Sequence, residues 1–309
     1  MRHSSLLNAH IHSEIIAYCL FAGLSGLIIG HAPDAVCAAE PGQLTTDHLF
    51  KRDPVFVGRG TEIVYVVLSR PDQLRLMRLT LADGSSQPLH KDETRSELEP
   101  AFSSNGRFYA FLQSRTAASV AMVIRDTQRG QHTEIPPLSG FAGIRSPCFS
   151  PDGKRLIYCL GEEGRQKIFS VNTAAGDLKT LLDGPGINNW PSFSPDGAQL
   201  LFGSTRDGNY EIYLANADGS GVRRITNHPS QDIRPRFSPD GQQIAFTSNR
   251  DGNYEVYVMR VDGSNVTRIT DHPERDDFPA WHPDGQRLVM MSERAGRYDL
   301  YLVSTNLTE

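Results

Sequence analysis

Short stretches in which apolar and polar positions alternate follow one another down this chain, separated by Gly, Pro, Asp and Asn. Between residues 235 and 278 there are four of them: Pro235 to Ser238, Gln243 to Ser248, Tyr254 to Arg260 and Asn265 to Thr270. A period of two marks a strand with unlike faces, and no amphipathic helical run interrupts the series. The residues between the stretches are those that tight turns need. In Ser238-Pro239-Asp240-Gly241 the proline presets φ, the aspartate bonds nearby backbone and the glycine accepts a positive φ. Asn249-Arg250-Asp251-Gly252-Asn253 and Asp262-Gly263-Ser264 turn the second and third hairpins. The segment predicts a four-stranded antiparallel meander.

The unit recurs. Phe149-Ser150-Pro151-Asp152-Gly153 returns as Phe193-Ser194-Pro195-Asp196-Gly197, Phe237-Ser238-Pro239-Asp240-Gly241 and Trp281-His282-Pro283-Asp284-Gly285, each 44 residues after the last. Weaker copies lie upstream at Phe102-Ser103-Ser104-Asn105-Gly106 and Phe56-Val57-Gly58-Arg59-Gly60, and a proline stands two places before all six aromatics, from Pro54 to Pro279. One such sheet cannot cover both of its faces, and sheets of this length pack on each other radially, as propeller blades. A proline at the start of the first strand suits the innermost position, where a free edge on the channel tolerates a missing N–H. The last copy runs out after a third strand, Asp299 to Ser304. Gln43-Leu44-Thr45-Thr46-Asp47-His48, with Arg52, Asp53 and Pro54 after it, matches Arg268-Ile269-Thr270-Asp271-His272 with Asp276, Asp277 and Pro279 after it. Residues of about 42 to 47 are therefore expected to supply the missing outer strand against 281–304. The expected fold is all-β: a six-bladed propeller of four-stranded antiparallel blades over residues 40–309, closed by an N-terminal strand.

With its turns in view, the repeat resembles the TolB-type, WD-like propeller repeat, whose pattern runs approximately P-x-F-S-P-D-G, I-A-F-x-S-x-R-D-G, E-I-Y-x-x-x-x-D-G and R-L-T. Its clearest carriers are Ser204-Thr205-Arg206-Asp207-Gly208 with Glu211-Ile212-Tyr213, and Ser248-Asn249-Arg250-Asp251-Gly252 with Glu255-Val256-Tyr257. The likeness is strong over 145–304 and weaker, though in register, over 42–144. It implies the fold and says little of the role, because such repeats occur in proteins of many functions. TolB itself places an N-terminal α/β domain before its propeller, whereas a signal alone is expected to precede the first strand here. Prolyl-oligopeptidase relatives add a hydrolase domain, and residues 40–309 contain no Gly-x-Ser-x-Gly elbow.

Ile15 to Gly30 is uncharged, with Arg2 upstream and Val36-Cys37-Ala38-Ala39 downstream. This reads as a secretory signal peptide over residues 1–39, cleaved near Ala38 or Ala39, and the run is shorter than the roughly 20 residues that a membrane span takes. A retained anchor is the alternative. The expected location is periplasmic or secreted, with no membrane span in the mature chain. Of 309 residues, 39% are apolar and 22% charged, and the net charge of −5 comes from interspersed signs. No run of Lys and Arg could neutralise a row of phosphates, so nucleic acid is excluded as a partner. Past the signal only Cys148 and Cys159 remain. They flank one hairpin at unequal distances from its turn and read as core thiols rather than a disulfide. A monomer is expected.

Loops that lead from an outer strand to the next inner strand gather at one mouth of a propeller channel, and such loops carry binding. Here they end in Lys51-Arg52-Asp53, Glu97-Leu98-Glu99, Ile144-Arg145-Ser146, Asn188-Asn189-Trp190, Asp232-Ile233-Arg234 and Asp276-Asp277-Phe278. These differ while the framework repeats, as a grafted site would. The candidate partner-binding residues are Glu97, Glu99, Arg145, Asn188, Asn189, Trp190, Asp232, Arg234, Asp276, Asp277 and Phe278. The carboxylates among them, Asp232, Asp276 and Asp277 foremost, offer oxygens to a Ca2+ ion, and the family resemblance adds that TolB-like propellers sometimes hold an ion in the channel. The competing reading, which is favoured, pairs Asp232 and Asp276 with Arg206, Arg250 and Arg294 to tie neighbouring blades. Trp190 and Phe278 suit a protein or sugar partner, or plug the channel. His48, His228 and His272 lack metal-ligand spacing and read as turn contacts. Tyr210, Tyr213, Tyr254, Tyr257, Tyr298 and Tyr301 alternate along third strands and read as packing between blades.

No catalytic group assembles from these residues. The expected function is an exported, non-catalytic scaffold that presents its mouth to an envelope protein or peptide, without a cofactor, and its relation to the Tol-Pal system is left open. Two alternatives stand: an enzyme like the oligogalacturonate lyases, which use related propellers with channel-mouth histidines and a divalent metal, and a carbohydrate-binding module for which Trp190 is the hint.

Overall fold

The computed structural model describes residues 42–116, 119–137, 143–162 and 165–306, and these form six four-stranded antiparallel sheets. We number the blades 1 to 6 by their innermost strands: Lys51–Val57, Glu97–Phe102, Ile144–Phe149, Asn188–Phe193, Asp232–Phe237 and Asp276–Trp281. Each pairs outward with a second and a third strand, in blade 5 Gln243–Ser248 and Glu255–Arg260. The fourth strands are short, two residues each at Arg223–Arg224 and Thr267–Arg268. The expected signal peptide and its cleavage site near Ala38 or Ala39 lie outside the described residues.

Alternation along the second strands is what joins the blades. Leu200 and Phe202 of blade 4 pack with Ile157, Cys159 and Ile168 of blade 3, whereas Leu201 between them packs with Phe237, Ile244 and Phe246 of blade 5. Tyr213 and Tyr257 lie in these same interfaces, as their spacing predicts. Each such burial contributes about 1.5–3 kcal/mol, and a blade realises it only with a neighbour on each side. The ring is complete, since Ile63, Tyr65 and Val67 of blade 1 pack with Val289, Met291 and Leu300 of blade 6. Blades also touch at their turns. Gly219 has φ +87°, and a Cβ there would stand 1.9 Å from the Leu181 carbonyl oxygen of blade 3. Cys148 and Cys159 are free thiols, facing Ile157 and Arg145 across the hairpin.

Closure follows the expected route. Gly42–Gln43 pairs with Arg297–Ser304 at Gly42 with Leu302 and Gln43 with Tyr301, and Leu44 N donates to Leu300 O at 2.8 Å. Asp299 is the hub of this latch. Thr45 Oγ1 donates to it at 2.8 Å, His48 Nδ1 lies 2.7 Å away, and Lys51 Nζ approaches to 3.2 Å. The full blades build the same knot: Glu211 accepts from Thr226 Oγ1 at 2.5 Å and from His228 N at 2.7 Å. Glu255 likewise accepts from Thr270 Oγ1 and from His272 N. His48, His228 and His272 are thus turn contacts in a repeated element.

Proline does not open the inner strand but stands fourth in it, as Pro235 does in Asp232–Phe237. The backbone bulges just before it, with the register slipping between Ile233 and Arg236 and at the matching place in every blade. A bulge leaves one residue without a ladder partner, so a residue that lacks an N–H is tolerated inside the strand.

Candidate functional site

The residue before each of these prolines takes a left-handed conformation, and none of the six is glycine. Asp53, Glu99, Ser146, Trp190, Arg234 and Phe278 have φ of 51°, 49°, 52°, 53°, 53° and 59°. Such a backbone costs on the order of 1 kcal/mol or more per residue and persists only where its surroundings impose it. A bulge of this kind re-aims a side chain. Here it does so once per blade, at equivalent positions that carry six different chemistries.

These residues link into a continuous ring of contacts. Arg52 donates to Asp53 Oδ2 at 2.7 Å and to Glu99 Oε1 of blade 2 at 3.5 Å. Glu99 accepts from Ser146 N of blade 3, and Ser146 Oγ donates to Asn189 Oδ1 of blade 4 at 2.9 Å. The Arg234 guanidinium of blade 5 lies 5.1 Å from the Trp190 ring and 4.1 Å from the Phe278 ring of blade 6. Arg52 returns to Phe278 at 5.5 Å and closes the circuit. Burial pushes the Glu99 carboxyl up and Asp53 adds to this, against the pull of Arg52 and Arg145. Burial would also raise Asp277, but Arg234 and Arg275 hold it below the usual carboxylate range.

The residues that open each inner strand have a different task. Asp232 is wholly buried and receives Arg250 Nη2 at 2.9 and 3.0 Å; Asp276 receives Arg294 Nη1 at 2.8 Å; Asn188 takes the acid's place and receives Arg206 Nη2 at 3.0 Å. These pairs form, but inside one blade rather than between neighbours as expected. The register explains it: Asp232 faces Ser248, two residues before Arg250 on the same sheet. Glu97 is buried against His90 Nδ1 at 2.6 Å. The ties between blades come instead from the ring just described. Asp277 accepts from Arg234 at 3.3 Å, Arg275 at 2.5 Å, Thr247 Oγ1 at 2.9 Å and Phe278 N at 2.7 Å.

The expected mouth therefore separates into two layers. Glu97, Asn188, Asp232 and Asp276 are anchors within blades, whereas Glu99, Asn189, Trp190, Arg234, Asp277 and Phe278 form the ring, with Arg145 beside Glu99. Phe278 is 5% exposed and belongs to the interface of blades 6 and 1, while Trp190 is partly exposed and lies 5.0 Å from Tyr210. As donors for Ca2+, Asp232, Asp276 and Asp277 fit poorly, because each is already neutralised by guanidinium groups. Among the described residues no three His, Cys, Asp or Glu side chains are grouped to hold a metal ion. Sequence reasoning missed two participants, Arg275 and Arg236. Arg236 could have been found by aligning the first residue after each bulge: Val55, Ala101, Cys148, Ser192, Arg236 and Ala280.

Six four-stranded sheets closed into one ring, with unlike side chains turned onto a common axis, define a six-bladed β-propeller whose variable part is its inner ring. The chain belongs to the TolB beta propeller domain family, which matches residues 56–236, and residues 212–306 match the Tricorn protease N-terminal beta propeller domain. Among solved structures it is similar to TolB from Acinetobacter baumannii, with 23% identity and a TM-score of 0.68 over 81% of this chain. It spans 65% of that protein's length. It is also similar to a structure described as putative TolB from Agrobacterium tumefaciens, with 25% identity and a TM-score of 0.65, covering 83% of this chain and 90% of that one. Oligogalacturonate lyase from Vibrio parahaemolyticus shares the fold at 13% identity and a TM-score of 0.58, covering 85% of this chain and 92% of that one. No curated protein sequence matches the chain. No helix among the described residues is long and apolar enough to cross a membrane.

Proposed function

We propose that this chain is an exported, non-catalytic TolB-like propeller that holds an envelope protein or peptide at its channel, without a cofactor. The observation that carries this reading is the inner ring. The framework repeats from blade to blade, yet the six re-aimed positions are Asp, Glu, Ser, Trp, Arg and Phe, each in a conformation that disfavours a side chain. Sequence variety at strained positions on one axis supports a recognition surface on a rigid scaffold. The likeness to structures bearing the TolB name supports a place in the envelope.

The test has two arms. N-terminal sequencing of the exported form is expected to start at Ala39 or Glu40, and an unprocessed chain that stays in the cytoplasm would refute export. An affinity capture from envelope extract is expected to retain one protein on the wild type and to lose it on a still-folded Trp190→Ala variant. Equal capture by both would remove the ring from the interface, and turnover of oligogalacturonate by the purified protein would replace the scaffold with an enzyme.

A further inference from the structure

Directly after the bulge, five of the six inner strands carry a short side chain: Val55, Ala101, Cys148, Ser192 and Ala280. The sixth carries Arg236. Its charge is felt by Cys148 of blade 3, Asp53 of blade 1 and Glu99 of blade 2, groups that share only the central axis with a residue of blade 5. The space left by five small residues is thus where the one long side chain extends.

Arg52, Arg234 and Arg275 each meet a carboxylate. Arg236 does not. Among the described residues its one hydrogen bond is from Nη1 to the carbonyl of its neighbour Pro235, at 3.2 Å, and no carboxylate lies within ion-pair distance. Arg236 is half-buried, and burial pushes its pKa below the usual guanidinium value. A half-buried guanidinium, with most of its five N–H groups unengaged by the protein, gains most from a planar anion that can accept two of them.

We propose that Arg236 anchors a carboxylate inside the channel, so that the segment held by this propeller is an acidic peptide. The peptide part rests on the scaffold reading above, whereas the anchor itself does not. A single negative charge fits better than a dianion, because Asp53 and Glu99 face the same lumen and would repel a phosphate twice over. Asp53 and Glu99 stay beyond ion-pair distance of Arg236, the Cys148 thiol is held neutral by burial, and Ser192 on the adjacent blade presents a hydroxyl with no protein hydrogen bond among the described residues.

The test uses the full chain at constant ionic strength, titrated calorimetrically with acetate, inorganic phosphate, the blocked tripeptide N-acetyl-Gly-Glu-Gly-amide and its Gln counterpart. The Glu peptide is expected to bind at least about tenfold more tightly than the Gln peptide, the scale of one charge-assisted hydrogen-bonded pair. Arg236→Gln should abolish the difference and Arg236→Lys should keep part of it. Arg236→Gln removes a charge that no carboxylate of the protein pairs, so its melting temperature is expected to hold or rise, which separates lost binding from lost folding. If acetate binds the wild type and not Arg236→Gln while neither peptide binds, the anchor stands and the peptide reading falls. Equal binding of Glu and Gln peptides, unchanged acetate binding in Arg236→Gln, or tighter binding of phosphate than of acetate would each overturn the anchor.

Discussion

Asp277 concentrates, in one side chain, the choice between a ligand-facing acid and a structural one. It is wholly buried and receives two guanidinium groups, a hydroxyl and a backbone N–H. Removing one partner of a buried ion pair strands the other, at a cost of about 3–5 kcal/mol. Asp277→Ala is therefore expected to lower the melting temperature by several degrees, and combining it with Asp276→Ala should lower it further through the stranded Arg294. A double variant that melts with the wild type but has lost its ligand would show that these acids face the ligand. The buried acid has a signature in pH as well. Its folded pKa lies below the unfolded value, so its contribution is complete above the unfolded pKa and is lost as pH falls through the folded one. The identity of Asp276 was legible, since Glu97 and Asp232 stand at its register position in blades 2 and 5, whereas Asp277 has no acidic counterpart in the other blades. The partners of these acids were not legible, because whether Arg250 meets the acid of its own sheet or of the next depends on a pairing register that residue types alone do not set.

The bulged inner strand is the element that turns a repeat into a site. Its proline was visible in all six copies, but the conformation before the proline was not, because Asp, Glu, Ser, Trp, Arg and Phe share no preference for positive φ. What imposes it is the strand around it, paired on both sides of the bulge. Ser146 offers a test, because its side chain is small and, among the described residues, makes one side-chain link, to Asn189. Ser146→Gly should be close to neutral in calorimetry, as relief of the backbone offsets the lost hydrogen bond. Ser146→Val should lose about 1–2 kcal/mol, since a β-branched residue tolerates the left-handed region least. Equal melting of the two variants would mean that the bulge is not held by its strand.

At the scale of the whole molecule, the ring depends on one seam. The closing strand was legible because Thr45 and His48 stand where Thr270 and His272 stand in a full blade, while Asp299 in place of Glu255 hid the acid they serve. Deleting residues 40–50 is expected to open the ring and lower and broaden the melting transition; unchanged melting would refute closure by this strand. Asp299→Asn should weaken the seam in a pH-dependent way. Burial would raise Asp299, but Thr45, His48 and Lys51 bring it below the usual range, so the wild type's advantage holds at neutral pH and fades as pH falls below about 4.

The circuit of contacts running from Arg52 through Glu99, Ser146, Asn189, Trp190, Arg234 and Phe278 back to Arg52 acts on the molecule as a hoop acts on a barrel. A blade that leans outward must part from both neighbours at the axis, so the bore keeps one diameter while the two-residue outermost strands of blades 4 and 5 stay free to fray. Stiffness is thereby graded from axis to rim, and a guest is met by a rigid socket in a body whose compliance lies at its circumference.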